Sequence, residues 1–248
     1  MEIVFPPMKA GLLQLAWMMV GIFALAMLSA CGPSEKRKAE LAEQQRIDCL
    51  DKLCEGDVVP KHDLLKEEAL KLNGQWFIGP KEYFSTGING AGFEWWDHKI
   101  LSSSMKRPPE AQALAVAGKG YDFSIEIFLR HHDGVMHGPS RYEHLQQAEA
   151  EGRLISKETP RPGLEIWHTR ETDGLGPGLW YVATKFVATD PNGAVLSCRS
   201  GKLDRCVTAF IWRPGIAADM RFRSALSNDW PEIYKETIEI LEELREVK

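Results

Sequence analysis

Leu70-Lys71-Leu72-Asn73-Gly74-Gln75-Trp76-Phe77-Ile78 reads as two short strands around a two-residue turn. Asn-Gly supplies the two positive-φ residues that a type I′ turn demands, and apolar residues flank it on both sides. Beyond it, a Gly/Asn/Ser-rich loop over residues 83–92 delivers the chain into Phe93-Glu94-Trp95-Trp96, a short aromatic strand. Tyr121 to Leu129 alternates apolar and polar residues with period two and reads as a buried strand. Further strands are expected at 164–169, 179–187, 194–198, 207–212 and 218–222.

Helices punctuate this pattern. Pro108-Pro109-Glu110 opens an alanine-rich helix to about Val116, ended by Gly118 and Gly120. Ser140 with Glu143 three residues on predicts a capped helix to Glu151. The clearest helix is C-terminal: Asn228 or Asp229 caps it, Pro231 lies in its first turn, and Tyr234, Ile238, Leu241 and Leu244 recur along one face. The connections between strands are too short to hold crossover helices. The fold expected is therefore α+β, a mainly antiparallel sheet with the C-terminal amphipathic helix packed on it.

Upstream of the hairpin the chain changes character. An apolar run from Gly11 to Leu28 closes on Leu28-Ser29-Ala30-Cys31 and opens onto polar residues. A leucine, two small residues and a cysteine in that order form a lipobox: the small pair lets a signal peptidase approach, and the Cys31 thiol carries the lipid. Residues 1–30 are then a lipoprotein signal peptide, with translation starting at Met1 or Met8. A transmembrane anchor is the competing reading, since the run has about the length a bilayer core requires. Gly11, Gln14 and Gly21, and the lack of a basic cluster directly after the run, count against it. Gly32, where an aspartate would favour the inner membrane, leans the sorting towards the outer membrane. Residues 31–59 read as a lipid-anchored, solvated helical tether, broken by Glu55-Gly56-Asp57, and residues 60–248 as one α+β domain.

The chain has 248 residues and a net charge of −5. Removing residues 1–30, which contain only Glu2 and Lys9 as charged residues, leaves that charge unchanged. Mild acidity with no extended basic block gives no footprint for nucleic acid. Once Cys31 is lipidated, four cysteines remain, in two close pairs. Neighbour pairing, Cys49 with Cys54 and Cys198 with Cys206, is the economical connectivity and suits the oxidising periplasm. The intervals do not match the usual zinc spacings.

Chemistry-bearing motifs are sparse. His131-His132-Asp133 with His137 offers weak candidate metal ligands in a glycine-rich turn. No Gly-x-Ser-x-Gly elbow occurs, and Gly87-x-Asn89-Gly90-x-Gly92 lacks the lysine of a phosphate-binding loop. No cofactor is expected. Adjacent residues on a strand point to opposite faces, so one of Trp95 and Trp96 can enter the core while the other anchors a partner at the surface. Burial of both is the alternative.

The lipobox, Cys49 to Cys54 with Glu55-Gly56-Asp57, Lys71 to Pro80, Phe93 to Trp96, Tyr121 to Phe128 and Asp229 to Tyr234 together resemble a group of proteobacterial immunity lipoproteins. These are encoded beside type VI secretion phospholipase effectors. The resemblance implies a non-catalytic protein inhibitor, palmitate-bearing and held at the periplasmic face of a membrane, whose partner is a cognate secreted lipase. It carries no catalytic residues. An envelope metal-dependent hydrolase and a solute- or cell-wall-binding lipoprotein are the rival readings.

Overall fold

The structure, a computed structural model, describes residues 34–101, 107–134, 139–170, 178–199 and 204–247. Residues 1–33, which include the expected signal peptide and Cys31, lie outside them. The chain divides into two compact units, with the division between Asp48 and Cys49. The first contains helix α1 (Glu35–Asp48), which buries no residue. Its surface carries Glu/Lys and Glu/Arg pairs one turn apart.

The second unit holds two antiparallel sheets. The smaller joins β1 (Glu67–Leu72), β2 (Gln75–Pro80) and β13 (Arg245–Val247) in the order β1-β2-β13. Its hairpin is the one expected: Leu72 pairs with Gln75, and Asn73 and Gly74 take φ of 50° and 76°. The larger sheet comprises β3 (Phe84–Ser85), β4 (Gly90–Trp96), β6 (Ser124–His131), β7 (Leu154–Arg161), β8 (Leu164–Thr169), β9 (Gly178–Ala183), β10 (Val195–Arg199), β11 (Arg205–Arg213) and β12 (Ile216–Arg223). Their order is β3-β4-β6-β12-β11-β10-β9-β8-β7, with β5 (Lys99–Leu101) paired to β4. Every pairing is antiparallel.

Alternation decides which face each strand buries. Ile125, Ile127 and Leu129 of β6, with Ala218, Met220 and Phe222 of β12, face the main core, which the small sheet closes through Leu70, Leu72 and Phe77. Helix α4 (Trp230–Glu242) packs on the same core through Trp230, Ile233, Tyr234, Ile240 and Leu241. The opposite face carries two satellites. Helix α3 (Arg141–Ala150) inserts Leu145 among Trp167, Trp180, Val182 and Val195. Helix α2 (Pro109–Val116) lays Ala111 against Leu101 and Phe123.

Several expectations change. The body begins at Cys49, not near residue 60, because Asp51 accepts hydrogen bonds from the backbone N–H groups of Asn73 and His131 and Lys71 pairs with Asp57 at 2.6 Å. The glycine-rich stretch is strand from Gly90 onward: a Cβ on Gly90 would lie 1.9 Å from the Ile127 carbonyl oxygen, so only glycine admits the β4–β6 ladder there. Residues 120–123 form a 3-10 turn before β6, and the strand expected over 179–187 ends at Ala183. Ser140 caps α3 as read, with the reciprocal Glu143 bond present. Asp229 occupies the cap position of α4 but makes no capping bond, because its carboxylate is engaged elsewhere.

Candidate functional site

Both local disulfides form. Cys49–Cys54 has its Cα atoms 5.7 Å apart. Cys198–Cys206 joins directly opposed residues of β10 and β11, with Cα atoms 4.0 Å apart. The loop that connects those two strands includes residues 200–203, which lie outside the described residues.

The described part of the histidine turn sends its two imidazoles to different partners. His131 ends β6 and points its Nδ1 at Asn73 Oδ1, 2.7 Å away, so that nitrogen carries a proton and donates. His132 Nδ1 instead faces its own turn, 3.0 Å from the Gly134 N–H and 3.2 Å from Asp133. His137 lies outside the described residues. Among the described residues no group of three or more His, Cys, Asp or Glu side chains is placed to hold a metal ion.

The tryptophan pair divides as alternation requires. Trp95 is 2% exposed and belongs to the main core, so it is not available as a surface anchor. Trp96 is half-buried on the other face, edge-on to Phe123 at 5.6 Å. It forms one wall of a cleft of about 440 Å³. Leu114 of α2, Phe123, an edge of Trp95, and Ala225 and Leu226 of the 3-10 turn over 224–229 supply the remaining apolar lining. Three carboxylates, Asp97, Asp122 and Asp229, and the His98 imidazole supply the polar lining.

The polar side comes from an unusual hairpin. Trp96 pairs with Lys99 across a two-residue turn in which Asp97 and His98 adopt φ of 49° and 62°. A type I′ turn normally carries Asn-Gly here, and histidine in the left-handed region costs about 1 kcal/mol. The conformation brings His98 Nδ1 within 2.9 Å of Asp229 Oδ1. The other Asp229 oxygen accepts from the Trp95 indole at 2.8 Å. A buried indole N–H, a carboxylate and an exposed imidazole therefore form one chain across the cleft. Next to it, Arg161 bonds Glu232 and the Asn228 carbonyl, clamping the start of α4. That guanidinium hydrogen bond holds the Glu232 carboxyl below its usual range.

An aromatic wall beside several carboxylates suits a cationic or amphipathic side chain: an arginine or lysine stem can lie on the indole while its charge meets Asp97 or Asp122. Of this constellation the sequence singled out Trp96. Asp97 and His98 escaped because neither is a turn glycine, and Asp229 read as a helix cap. No protein family, no curated protein and no solved structure matches the chain.

Proposed function

We propose that the protein is a lipid-anchored, non-catalytic inhibitor at the periplasmic face of the envelope. It binds and neutralises a secreted lipase of the type VI effector kind, and the Trp96 cleft receives an anchoring side chain of that lipase. The observation that carries the reading is the cleft itself, preformed, aromatic on one side and acidic on the other, of the kind that takes a hot-spot residue of a protein partner. Supporting it are the lipobox order at Leu28 to Cys31 and two disulfides suited to an oxidising compartment. A lipid anchor at Cys31 raises the inhibitor's local concentration at the surface the lipase attacks.

The experiment is titration of the purified chain against the lipase encoded beside its gene, following phospholipid hydrolysis. Inhibition saturates near a fixed molar ratio. Trp96→Ala weakens the complex about 30-fold, or about 2 kcal/mol, and Cys31→Ser leaves the protein out of the membrane fraction and without palmitate label. Absence of both complex and inhibition overturns the reading. So does hydrolysis by the chain itself that depends on His98 or on added metal, which would favour an envelope hydrolase.

A further inference from the structure

The face of the large sheet between its two satellites carries a second cleft, which adjoins the Trp96 cleft through the ion pair of Arg223 with Asp122. Arg205 of β11 stands directly opposite Arg223 of β12, and Arg199 of β10 holds the opposing register position on the other side of Arg205. Directly opposed residues of antiparallel strands project to the same face, so β11 and β12 put like charges side by side. Such a pair works against the ladder that holds it. One row further along β12, Arg221 faces Glu126 of β6 and is neutralised by it. Arg223 reaches Asp122 at 3.9 Å. The Arg205 side chain is exposed and makes neither a hydrogen bond nor an ion pair among the described residues.

Arg205, Arg221 and Arg223 meet around a cleft of about 190 Å³, with Ser124 and Glu126 on its β6 side. Three guanidinium groups thus line the cleft against one carboxylate, that of Glu126. Asp219, further along the same face, is taken by Arg130. Planar guanidinium forks match the paired oxygens of a phosphate group, and several of them around one small cleft favour an oxyanion over a single carboxylate. We infer that the opposed pair Arg205 and Arg223, flanked by Arg221, is a binding site for a phosphate group, whether from a soluble phosphate or from an anionic phospholipid headgroup. The occupant relieves the repulsion within the pair, which otherwise costs stability.

The test uses the purified Cys31→Ser chain, which carries no acyl anchor of its own. Thermal melting is followed with and without inorganic phosphate at constant ionic strength. Binding to phosphatidylcholine vesicles, with and without phosphatidylglycerol, is measured by sedimentation. Phosphate at about ten times its Kd raises the melting midpoint by about 3 °C. Arg205→Gln, which breaks no ion pair, removes that rise while leaving the ligand-free midpoint equal to or above that of the parent. If phosphate has no effect but phosphatidylglycerol vesicles bind the parent and not Arg205→Gln, the source is the lipid headgroup and the site stands. No response to either probe, an equal response in parent and Arg205→Gln, or a lower ligand-free midpoint in Arg205→Gln overturns the inference.

Discussion

Replacing Tyr234 by phenylalanine removes a single oxygen from a residue of the main core. The ring remains packed against Phe186, Phe210 and Trp230, with centroids 5.2, 5.5 and 5.2 Å away. What is lost is the phenol's hydrogen bond to Asp190 Oδ2. The other Asp190 oxygen keeps the N–H groups of Asn192 and Gly193, at 3.1 and 2.8 Å. A hydrogen bond to a charged group is worth about 1.5–3 kcal/mol, so a loss of about 2 kcal/mol is expected at pH 7. With m near 3 kcal/mol/M in urea, the unfolding midpoint falls by about 0.7 M. Burial, first, and the adjoining carboxylate push the Tyr234 phenol far above its ordinary value. A group whose folded pKa is raised gives its full stabilisation below its unfolded value, near 10, and loses it as pH rises towards the folded value. At pH 11 ionisation favours the unfolded phenol by about 1.4 kcal/mol, a loss that Tyr234→Phe does not share. The difference between the two proteins therefore shrinks from about 2 to about 0.6 kcal/mol. Urea titrations at pH 7 and pH 11 under non-reducing conditions read both values. A midpoint change under about 0.2 M at pH 7, or a gap that stays constant with pH, would refute the reasoning.

Gly90→Ala places a methyl group against the Ile127 carbonyl and is expected to cost more than about 3 kcal/mol, or to prevent folding, as circular dichroism melts would report. Replacing Cys198 and Cys206 together by serine opens a loop with a sequence separation of 8 and lowers stability by about 2–3 kcal/mol; non-reducing peptide mapping of the parent should return this pair and Cys49–Cys54, with no cross-linked product. Hydrogen bonds from Lys71, chiefly, and from the Cys54 backbone hold the Asp57 carboxyl below its usual range. Its contribution is then complete above the unfolded value near 4 and is lost as pH falls through the depressed folded value, so Asp57→Asn should melt with a shallower acid limb than the parent.

Those parts of the fold whose cause is local were legible in the sequence. Asn73-Gly74 encodes its turn, Ser140 and Glu143 encode a cap, and Tyr234 and Leu241 fall on the buried face of α4. What stayed hidden depends on distant partners. β7 is an edge strand whose residues are mostly exposed, so Ile155-Ser156-Lys157-Glu158-Thr159 shows no buried alternation. Gly90 reads as loop until β6 is laid beside it, and Asp51 reads as tether until Asn73 and His131, 22 and 80 residues away, donate to it. The candidate cleft obeys the same rule. Trp96 announced itself by its neighbour and its strand, whereas His98 and Asp229, 131 residues apart, acquire meaning only when the hairpin meets the start of α4.

From β7 to β12 every strand of the large sheet lies beside its chain neighbour, so this run is a meander that can zip through successive hairpins. β6 joins it only through β12, where Ile127 pairs with Met220. During synthesis, which runs from the N-terminus, β6 is complete long before its partner exists. Its edge then displays open N–H and C=O groups alongside Ile125, Ile127 and Leu129, a template for any other extended chain. The nascent protein therefore has a window in which it is adhesive, and that window closes only when residues 216–223 arrive. A fragment ending before Ile216 keeps it open for good: such a fragment self-associates through β6 rather than persisting as half of a soluble protein.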